Sequence, residues 1–332
     1  MEYQMNLHKN KELFQDAIIA TAQRMKIPEI YIEKDYWVTF ALNLIFKNEI
    51  GKETVFKGGT ALAKCNGLID RFSEDIDLVI LRKKSESNNQ LKTKLKLITK
   101  CIEEAIPEIT IKGITNKKGM IRKTAHSYEK IFSGKFGQIR DNIILEVTWL
   151  GNYEPYEAGI ASSLIYETMS ETNQFELIEK HNLEPFNVLV LSPKRTICEK
   201  LMSLIRFSFS KSPITDLSNK IRHIYDIHMM LKNNNLNAFF NSIEFDDMLI
   251  KVANDDVLSF KNNNSWLINH PTSATIFAEP VETWSKIQNA YLTSFKDLVF
   301  GEFPTEKEIL DTLIIVSKRL KSIEWKIDIE RT

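Results

Sequence analysis

Hydrophobic residues in the first part of the chain recur about every three or four positions, which is the period of an α-helix. The pattern predicts one helix over residues 10–25 and, after a proline, a second helix over residues 29–47. The second helix carries the charged run Glu33-Lys34-Asp35 beside its apolar stripe. We expect this run to be a charged face with a scaffold role, and a ligand role for Lys34 or Asp35 is the alternative.

From residue 54 to residue 191 the apolar residues instead occur in short runs rich in β-branched side chains, which is typical of strands. A short helix over residues 60–67 and a lysine-rich helix over residues 94–106 interrupt these runs. The predicted strands cover residues 54–56, 74–80, 108–111, 130–132, 141–149 and 186–191.

The second half of the chain is mostly helical in its periodicity. Proline favours the first turn of a helix, so a helix is predicted to begin at Pro193. The fold class is therefore α+β, with a mixed-sheet domain and N-terminal helices in residues 1–191 and a mainly helical domain in residues 192–332. Further helices are predicted over residues 219–232 and 305–323, and the asparagine-rich segments 233–237 and 262–264 are predicted loops.

The 332 residues carry no formal net charge, so attraction of the whole molecule to nucleic acid is not implied. The charge is uneven, however. The segment from Arg82 to Arg140 has fifteen Lys or Arg and five Asp or Glu, a local net charge of +10. This segment is either a solvated basic face or a surface that contacts phosphates.

The three cysteines Cys65, Cys101 and Cys198 are far apart, odd in number and without CxxC spacing. This usage predicts neither a disulfide framework nor a zinc site, and it fits a reducing cytoplasm. The N-terminus has no apolar signal core, and the longest apolar-rich run, residues 37–46, is too short to cross a bilayer. We expect a cytoplasmic protein that does not contact a membrane.

The stretch from Phe56 to Leu78 combines two features that suit phosphate chemistry. A Gly58-Gly59-Thr60 turn precedes a short helix, whose backbone N–H groups and dipole favour an anion. Asp75 and Asp77 lie two apart on a strand and project together, and Mg²⁺ prefers such oxygen ligands. Taken singly, the glycines are also typical of a plain turn and the acids of a strand edge. Together they indicate nucleotidyl or phosphoryl transfer.

Four further polar residues are candidates. Glu146 interrupts an apolar strand, which is costly unless the carboxylate binds a metal or forms a salt bridge. Thr60 is a candidate cap of the short helix. Lys64, about one turn further on, is either a phosphate contact or a surface lysine. Lys200 lies at the margin of an apolar helix face, so its amine is expected to reach outward.

The motifs Gly58–Lys64 (GGTALAK) and Arg71–Leu78 (RFSEDIDL) resemble the signature of the AbiEii/AbiGii-type nucleotidyltransferase toxins. This family belongs to the DNA polymerase β-like nucleotidyltransferase superfamily. The run EKDYW at 33–37, the run TICEKL at 196–201 and the run RHIYD at 222–226 are similar to further family elements. In the last of these, His223 stands where the family often has an aspartate.

The resemblance implies a polymerase β-like nucleotidyltransferase fold that binds a nucleoside triphosphate between its two domains. Two Mg²⁺ ions would be held by Asp75, Asp77 and the third acid, Glu146. Lys200 would contact the triphosphate and Asp226 would orient Lys200; the alternative that the residues leave open is an interhelical salt bridge between the two and no more. The implied catalytic residues are Asp75, Asp77, Glu146, Lys200 and Asp226, and the implied nucleotide-binding residues are Gly58, Gly59, Thr60, Lys64, Ser73 and Lys200.

Members of this family are toxin components of toxin–antitoxin or phage-defence pairs, and some add nucleotides to the 3′ end of tRNA. The implied reaction is transfer of a nucleoside monophosphate to an acceptor hydroxyl, with tRNA as a candidate acceptor and a cognate antitoxin as a candidate partner. Two alternatives stay open. One is transfer to a protein or a small molecule, and the other is a non-catalytic interaction protein that keeps the fold.

Overall fold

The computed structural model describes residues 5–134 and 140–329, which form two compact units. The first unit contains the chain up to Gly67 together with Phe72–Leu191. The second unit contains Leu68–Arg71 and the chain from Ser192 onward. The second unit therefore includes a short piece of chain that precedes the acidic strand of the first unit.

One mixed sheet forms the centre of the first unit and confirms the predicted α+β class. Its strands are β1 (Thr54–Lys57), β2 (Ile76–Ile80), β3 (Glu108–Ile109), β4 (Ile121–His126), β5 (Ile143–Thr148), β6 (Tyr156–Ala161) and β7 (Phe186–Leu191). Their order in the sheet is β3-β4-β5-β2-β1-β7-β6. β1 pairs in parallel with β7 and β2 pairs in parallel with β5, whereas the other neighbours are antiparallel.

Strand β2 lies in the middle of this sheet, so most of its side chains are covered. Ile76, Leu78 and Ile80 are buried, as the alternation predicts, and Val79 on the other face is buried as well. Asp77 is the one residue of β2 that keeps some exposure to solvent. The central position of β2 therefore presents a single carboxylate on a rigid, otherwise apolar strand.

Helices α1 (Lys11–Met25) and α2 (Glu29–Phe46) confirm the two predicted N-terminal helices. The lysine-rich helix, α4, begins earlier than predicted because Ser87 and Gln90 form a capping box at its first turn. The other helices of the unit are α3 (Gly58–Lys64), α4 (Asn88–Glu103), α5 (Leu164–Glu171) and α6 (Phe175–Lys180), with 3-10 turns at Leu7–Lys9 and Glu49–Glu53.

The charged run Glu33-Lys34-Asp35 does not face solvent but is buried in the first unit. The three residues are 1%, 0% and 7% exposed. Buried charges need partners, and each of these side chains has them within the first unit. Glu33, for example, accepts the backbone N–H groups of Ile131 and Phe132 at 2.7 and 3.1 Å. Those two N–H groups are therefore not available to a strand.

Two local predictions are wrong. Residues 130–132 form no strand. The strand that pairs with β5 on this side is β4, which was not predicted because its sequence is largely polar. Thr124 and His126 of β4 are buried, and their side chains are hydrogen-bonded to each other at 2.8 Å.

In the second unit, the asparagine-rich segment 233–237 is not only a loop. A helix begins at Asn234, because the side chain of Asn233 caps its first turn.

The second unit is mainly helical, as predicted. The helix predicted over residues 219–232 is confirmed with its start at Ile221, and the C-terminal helix is confirmed over Glu306–Leu320. Its helices are α7 (Pro193–Ser208), α8 (Pro213–Asn219), α9 (Ile221–Lys232), α10 (Asn234–Phe240), α11 (Ile243–Ser259), α12 (Thr275–Ala278), α13 (Pro280–Ala290) and α14 (Glu306–Leu320), with a π-helical turn at Tyr291–Phe295 and 3-10 turns at Ser265–Ile268, Pro271–Ser273 and Lys296–Leu298.

Within residues 5–134 and 140–329, no helix is both long enough and apolar enough to cross a membrane.

Candidate active site

Four charged residues stand side by side across the middle of the sheet. In the strand register, Lys57 of β1 lies beside Asp77 of β2, Asp77 lies beside Glu146 of β5, and Glu146 lies beside Lys123 of β4. Registered neighbours project from the same face of a sheet. The sheet therefore places two carboxylates next to each other and flanks them with one lysine on each side.

Asp75 lies just before β2, and 35% of its side chain is exposed. Its two carboxylate oxygens accept hydrogen bonds from Nη1 of Arg140, at 2.9 and 3.1 Å. Asp75 and Asp77 thus border one anionic patch, as the alternation along the strand predicts. Arg140 was not anticipated from the sequence, because its neighbourhood carries no motif.

The surroundings of Asp77 disfavour its ionised form. Burial, followed by the nearby negative charges of Asp75 and Glu146, raises the pKa of Asp77 from 3.8 to about 7, although Lys57 and Lys123 act in the opposite direction. A group in this state is stabilised by any cation that approaches it. The arrangement favours binding of a positive ion.

Gly58 allows the backbone to approach this carboxylate closely. Its φ is +81°, in the left-handed region, and a Cβ built on it would lie 2.4 Å from Oδ2 of Asp77. A side chain at this position would therefore be strained and would collide with Asp77. The glycine is needed both for its conformation and for the space it leaves beside the acid.

The predicted glycine turn is in fact the first turn of α3, which begins at Gly58. Thr60 does not cap the helix, so that prediction is wrong. Its hydroxyl instead donates to the carbonyl oxygen of Asp75 at 2.6 Å and lies 3.0 Å from the hydroxyl of Ser73. Thr60 and Ser73 therefore join α3 to the segment that carries the acids.

Lys64 is not a surface lysine, because only 6% of its side chain is exposed. Its Nζ donates to Oδ1 of Asp35 at 2.5 Å and to the carbonyl oxygen of Ser162 at 3.1 Å. Asp35 also accepts the backbone N–H of Leu164 at 2.8 Å. Asp35 thus fixes the end of α3 to α2, and a contact between Lys64 and a phosphate is not needed to explain why Lys64 is buried.

Glu146 forms the salt bridge that the sequence left open as an alternative. Its Oε2 accepts from Nζ of Lys123 at 2.8 Å, and 34% of its side chain is exposed. Among the described residues, no three His, Cys, Asp or Glu side chains converge in the manner of a complete metal site. The carboxylates of Asp75, Asp77 and Glu146 still fit a hard divalent cation that completes its shell with water and phosphate oxygens.

In the second unit, Asp226 of α9 lies at the centre of a buried charge cluster. Arg71 forms two hydrogen bonds to its carboxylate, at 2.7 and 2.8 Å, and Lys200 of α7 forms a third at 2.7 Å. Burial alone would raise the pKa of Asp226, but the charges of Arg71 and Lys200 outweigh it and hold that pKa below its ordinary range. The prediction that the amine of Lys200 reaches outward is wrong, because its side chain is only 6% exposed.

His223 lies close to the same cluster. Burial, and then the charges of Lys200 and Lys220, lower the pKa of His223 well below its ordinary value. Its Nδ1 is buried without a hydrogen-bond partner in the described part of the chain. A neutral histidine here adds no negative charge, so Asp226 is the acid of this cluster.

Sequence reasoning missed two of the residues that organise these sites. Arg71 stands in the recognised RFSEDIDL motif, yet its partner Asp226 is 155 positions away, and only folding identifies that pair. Arg140 lies next to a predicted strand, where a lone arginine carries no signal. Predicting the roles of Arg71 and Arg140 would require knowing which distant parts of the chain contact each other.

Comparisons with known proteins agree with the motifs. The model of the family described as nucleotidyl transferase AbiEii toxin, type IV TA system, matches residues 42–304. Among solved structures, MenT4, a nucleotidyltransferase toxin from Mycobacterium tuberculosis H37Rv, is similar with a TM-score of 0.47 and 13% identity, covering 90% of this chain and 98% of that chain. No curated protein matches the sequence significantly. Because the family match spans most of the chain, this protein belongs to the AbiEii family of nucleotidyltransferase toxins of type IV toxin–antitoxin systems.

Proposed function

We propose that this nucleotidyltransferase transfers a nucleoside monophosphate from a nucleoside triphosphate to an acceptor hydroxyl, with Mg²⁺ held by Asp75, Asp77 and Glu146. The observation that carries the proposal is the pair Asp77 and Glu146, registered on neighbouring central strands with Asp75 beside them. Burial and the two neighbouring acids raise the pKa of Asp77 at the centre of the sheet. Such shifts are common at functional sites.

When bound, the metal would neutralise the phosphates and stabilise an in-line displacement with pyrophosphate as the leaving group. The protein's own part is to hold its carboxylates in fixed positions on β2 and β5. Gly58 keeps the backbone of α3 against Asp77, and Thr60 bonds to the carbonyl of Asp75. These contacts fix the backbone beside the two carboxylates, which favours a preorganised site.

The phosphate contacts proposed for Gly58, Gly59, Thr60 and Ser73 are local to the same corner of the first unit. Helix α3 has seven residues, so its dipole contributes modestly, and the backbone N–H groups carry most of this part of the proposal. Lys64 keeps its proposed role only if the triphosphate competes with Asp35 for its amine. Lys200 and Asp226 keep their proposed roles through the family motif, and Arg71 supports them by fixing the carboxylate of Asp226.

An RNA acceptor, with the 3′ end of tRNA as the candidate, depends on cationic surface. Much of the charge between Arg82 and Arg140 is already offset, because seven cations in the described part of this segment pair with carboxylates. Lys92, Lys96 and Lys100 are exposed and lie four apart along α4. Residues four apart lie on the same side of a helix, so these three lysines form an exposed cationic stripe that could contact RNA phosphates. Binding through such contacts would weaken as the salt concentration rises.

The proposal is tested by incubating the protein with Mg²⁺, each α-³²P-labelled NTP and total tRNA, with Asp75→Ala/Asp77→Ala as the inactive control. Label on tRNA with the wild type alone supports the reaction and the acceptor together. Label on protein or on a small molecule supports the second candidate acceptor class and rejects tRNA. No label on any acceptor, in the presence of each NTP, contradicts the proposed transfer.

Gly58→Ala is expected to lower transfer by about 100-fold, because the new Cβ would push against the Asp77 carboxylate and displace it. The matched control is Gly67→Ala. Gly67 also has a positive φ, +58°, but no atom lies within 4 Å of the position that a Cβ would occupy there. Both variants should lose about 1 kcal/mol of stability from backbone strain. Equal activities in the two variants would show that the contact with Asp77 is unimportant.

A further inference from the structure

The guanidinium of Arg140 is bonded to the carboxylate of Asp75, which the proposed function assigns to the metal. Nη1 of Arg140 bonds to both oxygens of Asp75, and the side chains are 43% and 35% exposed. An ion pair this exposed contributes little to stability, so separating it costs little. Arg140 therefore neutralises Asp75 in a way that another cation can replace.

The main chain at Arg140, in contrast, is held by two buried charged side chains. Nζ of Lys34 donates to the carbonyl oxygen of Arg140 and, at 2.7 Å, to that of Asn142. Oε1 of Glu74 accepts the backbone N–H of Arg140 at 3.0 Å. Lys34 is 0% exposed and Glu74 is 1% exposed. Two buried charged side chains therefore hold the backbone at Arg140, and Lys34 holds that at Asn142 as well.

These contacts divide Arg140 into a fixed backbone and a movable side chain. If the guanidinium leaves Asp75, the N–H and the carbonyl on either side of its Cα stay bonded to Glu74 and Lys34. The released cation then remains beside the acids instead of moving away with its segment. This location suits a second role, because the phosphates of a bound nucleotide would lie near the same carboxylates.

We propose that Arg140 is a displaceable counter-ion of the metal site: the divalent cation replaces its guanidinium on Asp75, and the released side chain contacts the phosphates of the nucleotide. The inference rests on the proposed function, which places the metal on Asp75. Its physical basis is repulsion between like charges, since a guanidinium and a divalent cation cannot both lie against one carboxylate without cost. Glu74 and Lys34 hold the backbone from which the released side chain extends.

The test measures Mn²⁺ binding to the nucleotide-free protein, by the electron paramagnetic resonance signal of free Mn²⁺, for the wild type, Arg140→Ala and Lys130→Ala. Lys130 is the matched control, because it carries the same charge nearby but pairs with Asp141 at 2.6 Å. Arg140→Ala should bind Mn²⁺ about two- to fivefold more tightly than the wild type, because the competing ion pair is gone. Lys130→Ala should bind within about twofold of the wild type.

The same Arg140→Ala variant should show a KM for the nucleoside triphosphate raised about tenfold, through the lost charged hydrogen bond to phosphate. Arg140→Lys should restore part of this loss. Tighter metal binding combined with weaker nucleotide binding is the signature of the displaced counter-ion, since a merely structural residue would not move the two in opposite directions. Mn²⁺ affinity in Arg140→Ala no higher than in Lys130→Ala would overturn the inference.

A third variant, Asp75→Asn, separates this inference from the proposed function. If the wild type binds Mn²⁺ and Asp75→Asn does not, the metal site stands and the Arg140 comparison decides the inference alone. If Asp75→Asn binds Mn²⁺ as the wild type does, Asp75 does not hold the metal. That result would contradict both the proposed metal site and the role of Arg140.

Discussion

Asp77→Asn is expected to abolish nucleotide transfer while making the metal-free protein more stable above pH 7. The loss of activity should be at least about 1000-fold, since an amide is a poor substitute for a metal-binding carboxylate. The gain in stability has a separate cause. Burial and the neighbouring acids raise the pKa of Asp77 from 3.8 to about 7, so the folded protein resists its ionisation.

The pH dependence follows from the direction of this shift. For an acid whose pKa is higher in the folded state, ionisation disfavours folding. The penalty is absent below about pH 4, grows as the pH rises towards 7 and is complete above it. Because Asp77 keeps some exposure, we expect a full penalty of about 2 to 4 kcal/mol. The asparagine variant carries no such charge, so its stability lacks this penalty.

Denaturant unfolding at pH 5 and pH 8.5, without divalent ions, measures the effect. The stability advantage of Asp77→Asn should be larger at pH 8.5 than at pH 5. Mg²⁺ added at pH 8.5 should stabilise the wild type and leave the variant nearly unchanged. Asp141→Asn is the control, because that carboxylate is 57% exposed and its loss should change stability by less than about 0.5 kcal/mol. An Asp77→Asn protein less stable than the wild type at both pH values would contradict the electrostatic argument.

The second large effect is expected in the other unit, where Asp226→Ala should destabilise the fold by about 3 to 5 kcal/mol. The substitution leaves two buried cations, Arg71 and Lys200, without their shared carboxylate. Because those cations hold the pKa of Asp226 below 3.8, the carboxylate stabilises the wild type above about pH 4 and this contribution is lost as the pH falls. The variant should therefore differ most from the wild type near neutral pH.

Calorimetric or denaturant unfolding at pH 7 gives this difference, and Asp246→Ala is the matched control. Asp246 pairs with Arg319 at 2.5 Å in the same unit, but both side chains are partly exposed, at 19% and 14%. Arg319 also donates to the carbonyl oxygens of Phe240 and Ser242, so it keeps partners after the substitution. The control should lose about 1 kcal/mol. A loss in Asp226→Ala no greater than in the control would show that the cluster around Asp226 is not a major source of stability.

Local features of the chain were predictable, because periodicity and turn chemistry act over a few residues. Helices α1, α2, α7, α9 and α14 and strands β1, β2, β5 and β7 all follow from the hydrophobic pattern. Strand β4 did not, because its buried positions are polar residues whose hydrogen bonds form only in the folded sheet. The AbiEii family was likewise predictable, since its motifs are short and continuous in sequence, and the family match confirms it.

The candidate site was predictable in part. The alternation along β2 places Asp75 and Asp77 together, and the strand register adds Glu146 beside Asp77. Their roles in metal binding, and those of Lys200 and Asp226, stay predictions. Thr60 and Lys64 show why the local pattern was insufficient. The local pattern made Thr60 a candidate cap and Lys64 either a phosphate contact or a surface lysine. In the folded protein Thr60 bonds to the backbone of Asp75 and Lys64 to the side chain of Asp35.

Local patterns along the chain predict most of the helices and strands, the acidic strand and the family motifs. The pairing of charges depends on contacts that form only in the folded protein. The pattern at Glu33, Lys34 and Asp35 predicts a charged face beside an apolar stripe, yet they are buried because segments about 100 residues away supply N–H groups and carbonyl oxygens for the first two. Arg71 and Asp226 are 155 positions apart. A charged side chain can be buried only where the folded chain brings it a partner, and no local pattern records how distant segments approach one another.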